Sequence, residues 1–112
     1  MSILREAIER KPHWLYLINS GNQDDVYKIG ITGRTVEQRL EEIQMEYTVP
    51  LASITKRRKV IGETAVLKLE HELHTKYQHS QDSTYGGCEW FCLEPKDLTQ
   101  LKTIYDYNSN RS

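Results

Sequence analysis

The sequence holds two cysteines, three prolines and a single phenylalanine, and it has no long apolar run. Two thiols, Cys88 and Cys92, are too few for a disulfide-stapled scaffold, and without a secretory segment they read as reduced. No stretch approaches the ~20 consecutive apolar residues that a membrane-spanning helix requires. The opening segment MSILREAIERKP is too charged to serve as a signal peptide. These absences predict a cytoplasmic chain with no membrane partner. Neither sign of charge is in excess: 15 Lys and Arg stand against 16 Asp and Glu, for a net charge of −1. An anionic partner would therefore have to be met by a local patch and not by the total charge. Internal repeats and low-complexity segments are also missing. What is there is ordinary globular composition, 38% apolar and 28% charged with seven tyrosines and two tryptophans. A chain of 112 residues is long enough for one modest core and too short for a second domain.

The three prolines fall at element boundaries. Residues 2–10 place Leu4, Ala7 and Ile8 on one side of a short helix, which Pro12 closes because the residue before a proline is pushed out of the helical region. HWLYLIN (13–19) and VYKIGIT (26–32) are β-branched and aromatic, and SGNQDD between them is turn chemistry, so the pair predicts a hairpin with a somewhat long loop. Thr35 and Gln38 have capping-box spacing at the head of a helix whose apolar stripe is Val36, Leu40, Ile43 and Tyr47, with Pro50 as its stop. LASITKRRKV reads as a third strand. Gly62 leads into a longer helix with Val66, Leu69, Leu73 and Tyr77 on its buried side. After the polar loop HSQDSTYGG, CEWFCL reads as a short strand or extended segment, and Pro95 starts a last helix with Leu98, Leu101 and Tyr105 inward. The order predicts a small single α+β domain, a central antiparallel or mixed three-stranded sheet flanked by helices.

Lys28 breaks the alternation of its strand, two positions before Gly30 on the same face. Gly30 removes side-chain bulk beside it, as a strand does where a ligand or another chain segment comes close. Tyr16 lies on one face of the preceding strand. Arg39 and Glu70 each border the buried stripe of their helix, and His74 follows Glu70 by one turn. Singly, these residues have plain structural readings: a core tyrosine, a snorkelling lysine, two helix-surface charges. Together they supply a carboxylate for a divalent metal, a cation for a phosphate and a base for water, which are the requirements of phosphodiester cleavage.

WLYLIN, then YKIGIT, RTVEQRL, LEHELH and GCEWF, in that order over residues 14–93, resemble the GIY-YIG endonuclease superfamily, in the phage and fungal branch whose second motif reads YKIG. The last tyrosine of the superfamily's first motif corresponds to Tyr16. The leading tyrosine of the second motif falls on Lys28, with Gly30 as its glycine; the helix arginine falls on Arg39 and the metal-binding glutamate on Glu70. The first motif lacks its glycine here, and EWF around Glu89 stands where the superfamily has a late asparagine. The resemblance implies a nuclease domain over residues 14–107, preceded by an N-terminal helix or extension over 1–13 and followed by a tail over 108–112.

The implied activity is metal-dependent hydrolysis of a nucleic-acid phosphodiester, DNA in the first place, with Mg²⁺ or Mn²⁺ on Glu70. Tyr16 or Lys28 would deprotonate water, for which either needs a depressed pKa. Arg39 would hold the scissile phosphate, and His74 would order a water or transfer a proton. In KRRK (56–59) the side chains alternate between two faces, so only two can meet one backbone; Lys56 and Arg58, with Arg34 near the helix start, are the expected substrate contacts. A solvated edge strand guarded by lysine is the plain alternative. Sequence selectivity would come from loops or from a protein partner. Two other classes stay open: a nucleic-acid-binding module that keeps the fold without the chemistry, and a structural zinc site from His71, His74, Cys88 and Cys92, although C-x3-C departs from the usual spacing.

Overall fold

The computed structural model of the chain describes residues 10–107. The helix predicted over 2–10, apart from its last residue, and the tail over 108–112 lie outside the described residues. Strands β1 (Pro12–Asn19) and β2 (Val26–Thr32) form the expected antiparallel hairpin, with Tyr16 opposite Gly30 and Ile18 opposite Lys28. The link between them is closed by local side-chain bonds: Gly21 N–H donates to Asn19 Oδ1 (2.8 Å), and the Ser20 hydroxyl to the Gln23 carbonyl (3.0 Å).

Helix α1 (Val36–Glu46) begins at the complete Thr35–Gln38 capping box and already ends at the Tyr47 cap, before Pro50. Strand β3 (Ser53–Ile61) pairs with the other edge of β1. Gly62, at φ 97°, turns the chain from β3 into helix α2 (Glu63–Lys76), a left-handed conformation that costs a glycine little. A 3₁₀ turn (Gln78–Ser80), strand β4 (Trp90–Cys92) and helix α3 (Pro95–Asp106) complete the order.

Among the described residues the sheet has four strands, in the order β3-β1-β2-β4 with every neighbour antiparallel, where three were predicted. The addition is β4. It lies within CEWFCL, read as a short strand or extended segment, and is three residues long; it pairs with Val26–Lys28, far upstream, so its place in the sheet has no local signal.

Alternation along the strands builds two cores, one on each side of the sheet. Leu15, Leu17, Tyr27, Ile29 and Phe91 pack under α2 and α3, against Val66, Leu73, Leu101 and Tyr105. Tyr16, Ile18, Val26 and Trp90 pack on the opposite side under α1, against Val36 and Ile43. The stripes read from the sequence are the buried sides of all three helices. Burying each large side chain is worth roughly 1.5–3 kcal/mol, so the central strand β1 anchors both layers.

The shortness of β4 positions the site. Its ladder reaches only Lys28; at the next position Ile29 N–H donates to the carbonyl of Glu89 (3.1 Å), and the Ile29 carbonyl accepts from His74 Nε2 (2.8 Å). From there on the outer edge of β2 has no strand beside it among the described residues. Helix α2, from the other side of the sheet, can therefore bring side chains round to the face that carries Lys28.

Candidate functional site

Tyr16 is 1% exposed, and its ring lies across Gly30, its partner in the ladder. A Cβ built at position 30 would overlap the Tyr16 phenol oxygen and Cζ. The bulk that Gly30 omits is thus room for Tyr16, and no ligand is needed to explain it. The Tyr16 carbonyl accepts a 2.6 Å hydrogen bond from the buried Tyr105 hydroxyl, which ties β1 to α3 from the far side. Gly30→Ala is expected to push the ring out of place and cost ~1–3 kcal/mol, the usual range for overpacking a filled core. The denaturant midpoint is the measurement, and an unchanged midpoint would show that the ring has room elsewhere.

Lys28 is fully buried. Its ammonium donates to Glu89 Oε1 and lies 5.7 Å from the ring centroids of both Tyr16 and Tyr47. Burial by itself would lower its pKa, but the charge interactions with Tyr16 and the bond to Glu89 outweigh that, and the net direction is upward. A lysine acting as a general base needs a lowered pKa, and these surroundings push the other way, toward the charged form.

Arg39 reaches from α1 over the sheet to Tyr16. Burial opposes its charge, but hydrogen bonding to Tyr16 and to Glu42 more than compensates, so the guanidinium is raised still further. Its Nη1 also meets Glu42 (3.1 Å) and Glu46 (3.4 Å). Glu42 takes a second cation, Arg34, at 2.7 Å, and the two arginines hold its carboxyl down to about 2. Arg34 therefore stands near the site through a shared acid.

Glu70, on α2, is half-buried. Burial raises its carboxyl above the ordinary glutamate range, the negative charge of Glu89 raises it further, and His74 and Lys28 act the other way. Those influences place Glu70, Glu89, Lys28 and His74 in one neighbourhood. The His74 Nε2 proton is spent on the Ile29 carbonyl, which leaves Nδ1 as its remaining polar atom.

The expected substrate contacts on β3 are elsewhere. Lys56, opposite Leu17, reaches both carboxylate oxygens of Asp106 at 3.0 Å; Arg58, opposite Leu15, donates to the Ile104 carbonyl at 3.1 Å. Both serve α3, on the face away from Tyr16 and Lys28. Arg57 and Lys59, opposite Tyr16 and Trp14, lie on the Tyr16 face, and Arg57 makes a two-pronged pair with Glu37 of α1 (3.0 and 2.7 Å). The zinc arrangement is not formed. Cys88 and Cys92 are exposed free thiols, Cys92 donates to Asp25 (3.4 Å), and no group of three or more metal-binding side chains exists among the described residues.

Sequence reasoning missed Glu89, Tyr47 and Trp90 as parts of this cluster. A lysine on a buried face calls for a carboxylate, and that demand is the signal that could have found Glu89. Trp90 pairs with Lys28 in the ladder, contacts Tyr47 edge-on (centroids 5.3 Å apart) and Tyr85 at a tilt (4.8 Å), and leaves its indole N–H without a partner.

Fold and site together define a small α+β domain whose one sheet face presents a tyrosine between two buried or half-buried cations, with a half-buried glutamate within reach of the lysine's charge. The chain belongs to the T5orf172 domain family, which matches residues 13–106. That domain occurs in phage and fungal nucleases and indicates a nuclease or a nucleic-acid-binding module. No curated protein and no solved structure gives a significant match. Among the described residues no helix is long and apolar enough to cross a membrane.

Proposed function

We propose that this chain is a metal-dependent endonuclease of the GIY-YIG type, hydrolysing phosphodiester bonds of nucleic acid, DNA in the first place. The carrying observation is the convergence of Tyr16, Lys28 and Arg39 on one face, with the half-buried Glu70 near enough to feel the charges of Lys28 and Glu89. Arg39 contacts the phenol of Tyr16 and is itself only 22% exposed, so an incoming phosphate would compete with Glu42 and Glu46 for the guanidinium and meet it in a poorly solvated place, where such contacts are strong. Tyr16 serves as the proton acceptor in its phenolate form, which the cations Arg39 and Lys28 beside it stabilise; it takes the proton of the attacking water and becomes neutral, while Arg39 meets the charge that grows on the phosphate.

Glu70 fits a hard divalent ion: Mg²⁺ is commonly held by one or two carboxylates together with substrate phosphates, and two acidic groups that raise each other's proton affinity favour a cation between or beside them. Glu70 would hold it. A bound Mg²⁺ or Mn²⁺ would supply positive charge to the phosphate and the leaving oxygen. The same reading places the chain in the cytoplasm, with loops or a protein partner giving sequence selectivity.

A nucleic-acid-binding module without turnover is the second reading, favoured by surroundings that push the Lys28 ammonium away from the neutral form a base needs and by the carboxylates that already occupy Arg39. The test is incubation with labelled single- and double-stranded DNA and RNA in Mg²⁺, Mn²⁺ or EDTA. Cleavage that requires the metal supports the nuclease; retention of oligonucleotide without cleavage in any metal leaves the binding module.

A further inference from the structure

Among the described residues, the carboxylate that accepts from the Lys28 ammonium is that of Glu89. Glu89 is itself fixed by main chain to the strand it serves, because its carbonyl accepts from Ile29 N–H (3.1 Å) and the next residue, Trp90, is the ladder partner of Lys28. Both ends of the ion pair are thus anchored to the same two positions of β2. The Glu89 side chain is 40% exposed, so it reaches from solvent into a pocket whose lysine has no exposure at all. A lysine stem has four rotatable bonds and a point charge with no preferred plane, so without a partner its ammonium would be poorly placed.

We propose that Glu89 is a positioning residue of this site: it holds the Lys28 ammonium beside the Tyr16 ring and partly cancels its charge until a phosphate arrives. The rate effect rests on the nuclease reading; the effect on binding does not. While Glu89 pairs with the ammonium it offsets the charge Lys28 can offer a phosphate in the ground state, and the ammonium it orients contributes where charge grows in the transition state. Removing the carboxylate charge should therefore separate affinity from rate.

The test uses the full chain with Glu89→Gln, Lys28→Met and both together. Two quantities are read: affinity for a labelled oligonucleotide in EDTA, and single-turnover cleavage in Mg²⁺. Glu89→Gln is expected to bind several-fold more tightly and to cleave ~10–100-fold more slowly, the scale of a small misplacement. In the Lys28→Met background it should change neither. Glu89→Asp keeps the charge on a shorter stem and should recover part of the rate; it carries the same comparison if the glutamine variant does not fold. An effect of Glu89→Gln that is as large without Lys28 as with it, or weaker binding in place of tighter, overturns the proposal. If the wild-type chain cleaves nothing, the nuclease reading fails and affinity alone decides: tightening that depends on Lys28 sustains the positioning role, and its absence or independence of Lys28 removes it.

Discussion

Glu70→Gln is expected to reduce single-turnover cleavage by ~10³-fold or more while making the folded protein more stable at neutral pH. The loss follows from removing the one carboxylate proposed to hold the metal, whose charge is worth several kcal/mol to a phosphoryl transition state. The gain in stability follows from the environment of the same side chain. Burial and the charge of Glu89 raise the Glu70 carboxyl in the folded state. A group with a raised folded pKa favours the fold fully below its unfolded pKa, and that contribution is lost as pH rises through the folded value. At pH 7 the ionised carboxylate therefore opposes folding, and a neutral glutamine of the same shape relieves that opposition, by an amount in the ~0.5–2 kcal/mol range of stabilising substitutions. Denaturant midpoints for both proteins should differ at pH 7 and converge as the pH is lowered toward 4. A variant that cleaves normally would move the metal elsewhere; a variant equally destabilised at both pH values would show that Glu70 is held by contacts that favour its charge.

Tyr16→Phe should lower the rate by ~10²–10⁴-fold, the range for a positioned acid or base, with little change in stability. The ring, which does the packing across Gly30, is kept. What disappears is the hydroxyl beside Arg39, and Arg39 retains Glu42 and Glu46 as partners, so no buried cation is left alone. Single-turnover rates set beside unfolding curves make the distinction. A phenylalanine variant that unfolds early but cleaves at the normal rate would return Tyr16 to a purely structural place in the core.

The parts of the structure that could be read from the sequence are those whose causes are local. The hairpin follows from two alternating segments and the turn chemistry of SGNQDD between them, and the start of α1 from Thr35 and Gln38 reaching each other's main chain. The helix stripes follow from spacing, since a helix has to put Val66 and Leu73 on one side. The alternation in KRRK was legible as well, but not which pair of cations faces the Tyr16 layer, because that depends on the register of β3 against β1 and on the irregularity beside Leu17 and Ile18. For Lys28 the sequence located the anomaly without the direction in which its surroundings push its pKa. The reason is that burial pushes one way and Glu89 with Tyr16 pushes the other, and the winner depends on a contact across 61 positions. The fourth strand was ambiguous for the same reason: three residues carry no period of their own.

The three contacts that close this site are all distant in the chain. Lys28 and Glu89 are 61 residues apart, His74 and Ile29 are 45 apart, and the Tyr105 hydroxyl meets the Tyr16 carbonyl across 89. The β1–β2 hairpin, by contrast, closes over a loop of a few residues, at small entropic cost and on a fast timescale. During synthesis the segment bearing Tyr16, Lys28 and Gly30 is therefore complete long before residues 70, 74 and 89 leave the ribosome. A nascent or broken chain carries Tyr16, Lys28 and Gly30 without the counter-charge of Glu89 and without Glu70. On the proposed reading, hydrolytic competence would belong to the finished fold alone, a built-in safeguard for any cell that makes an enzyme able to cut nucleic acid.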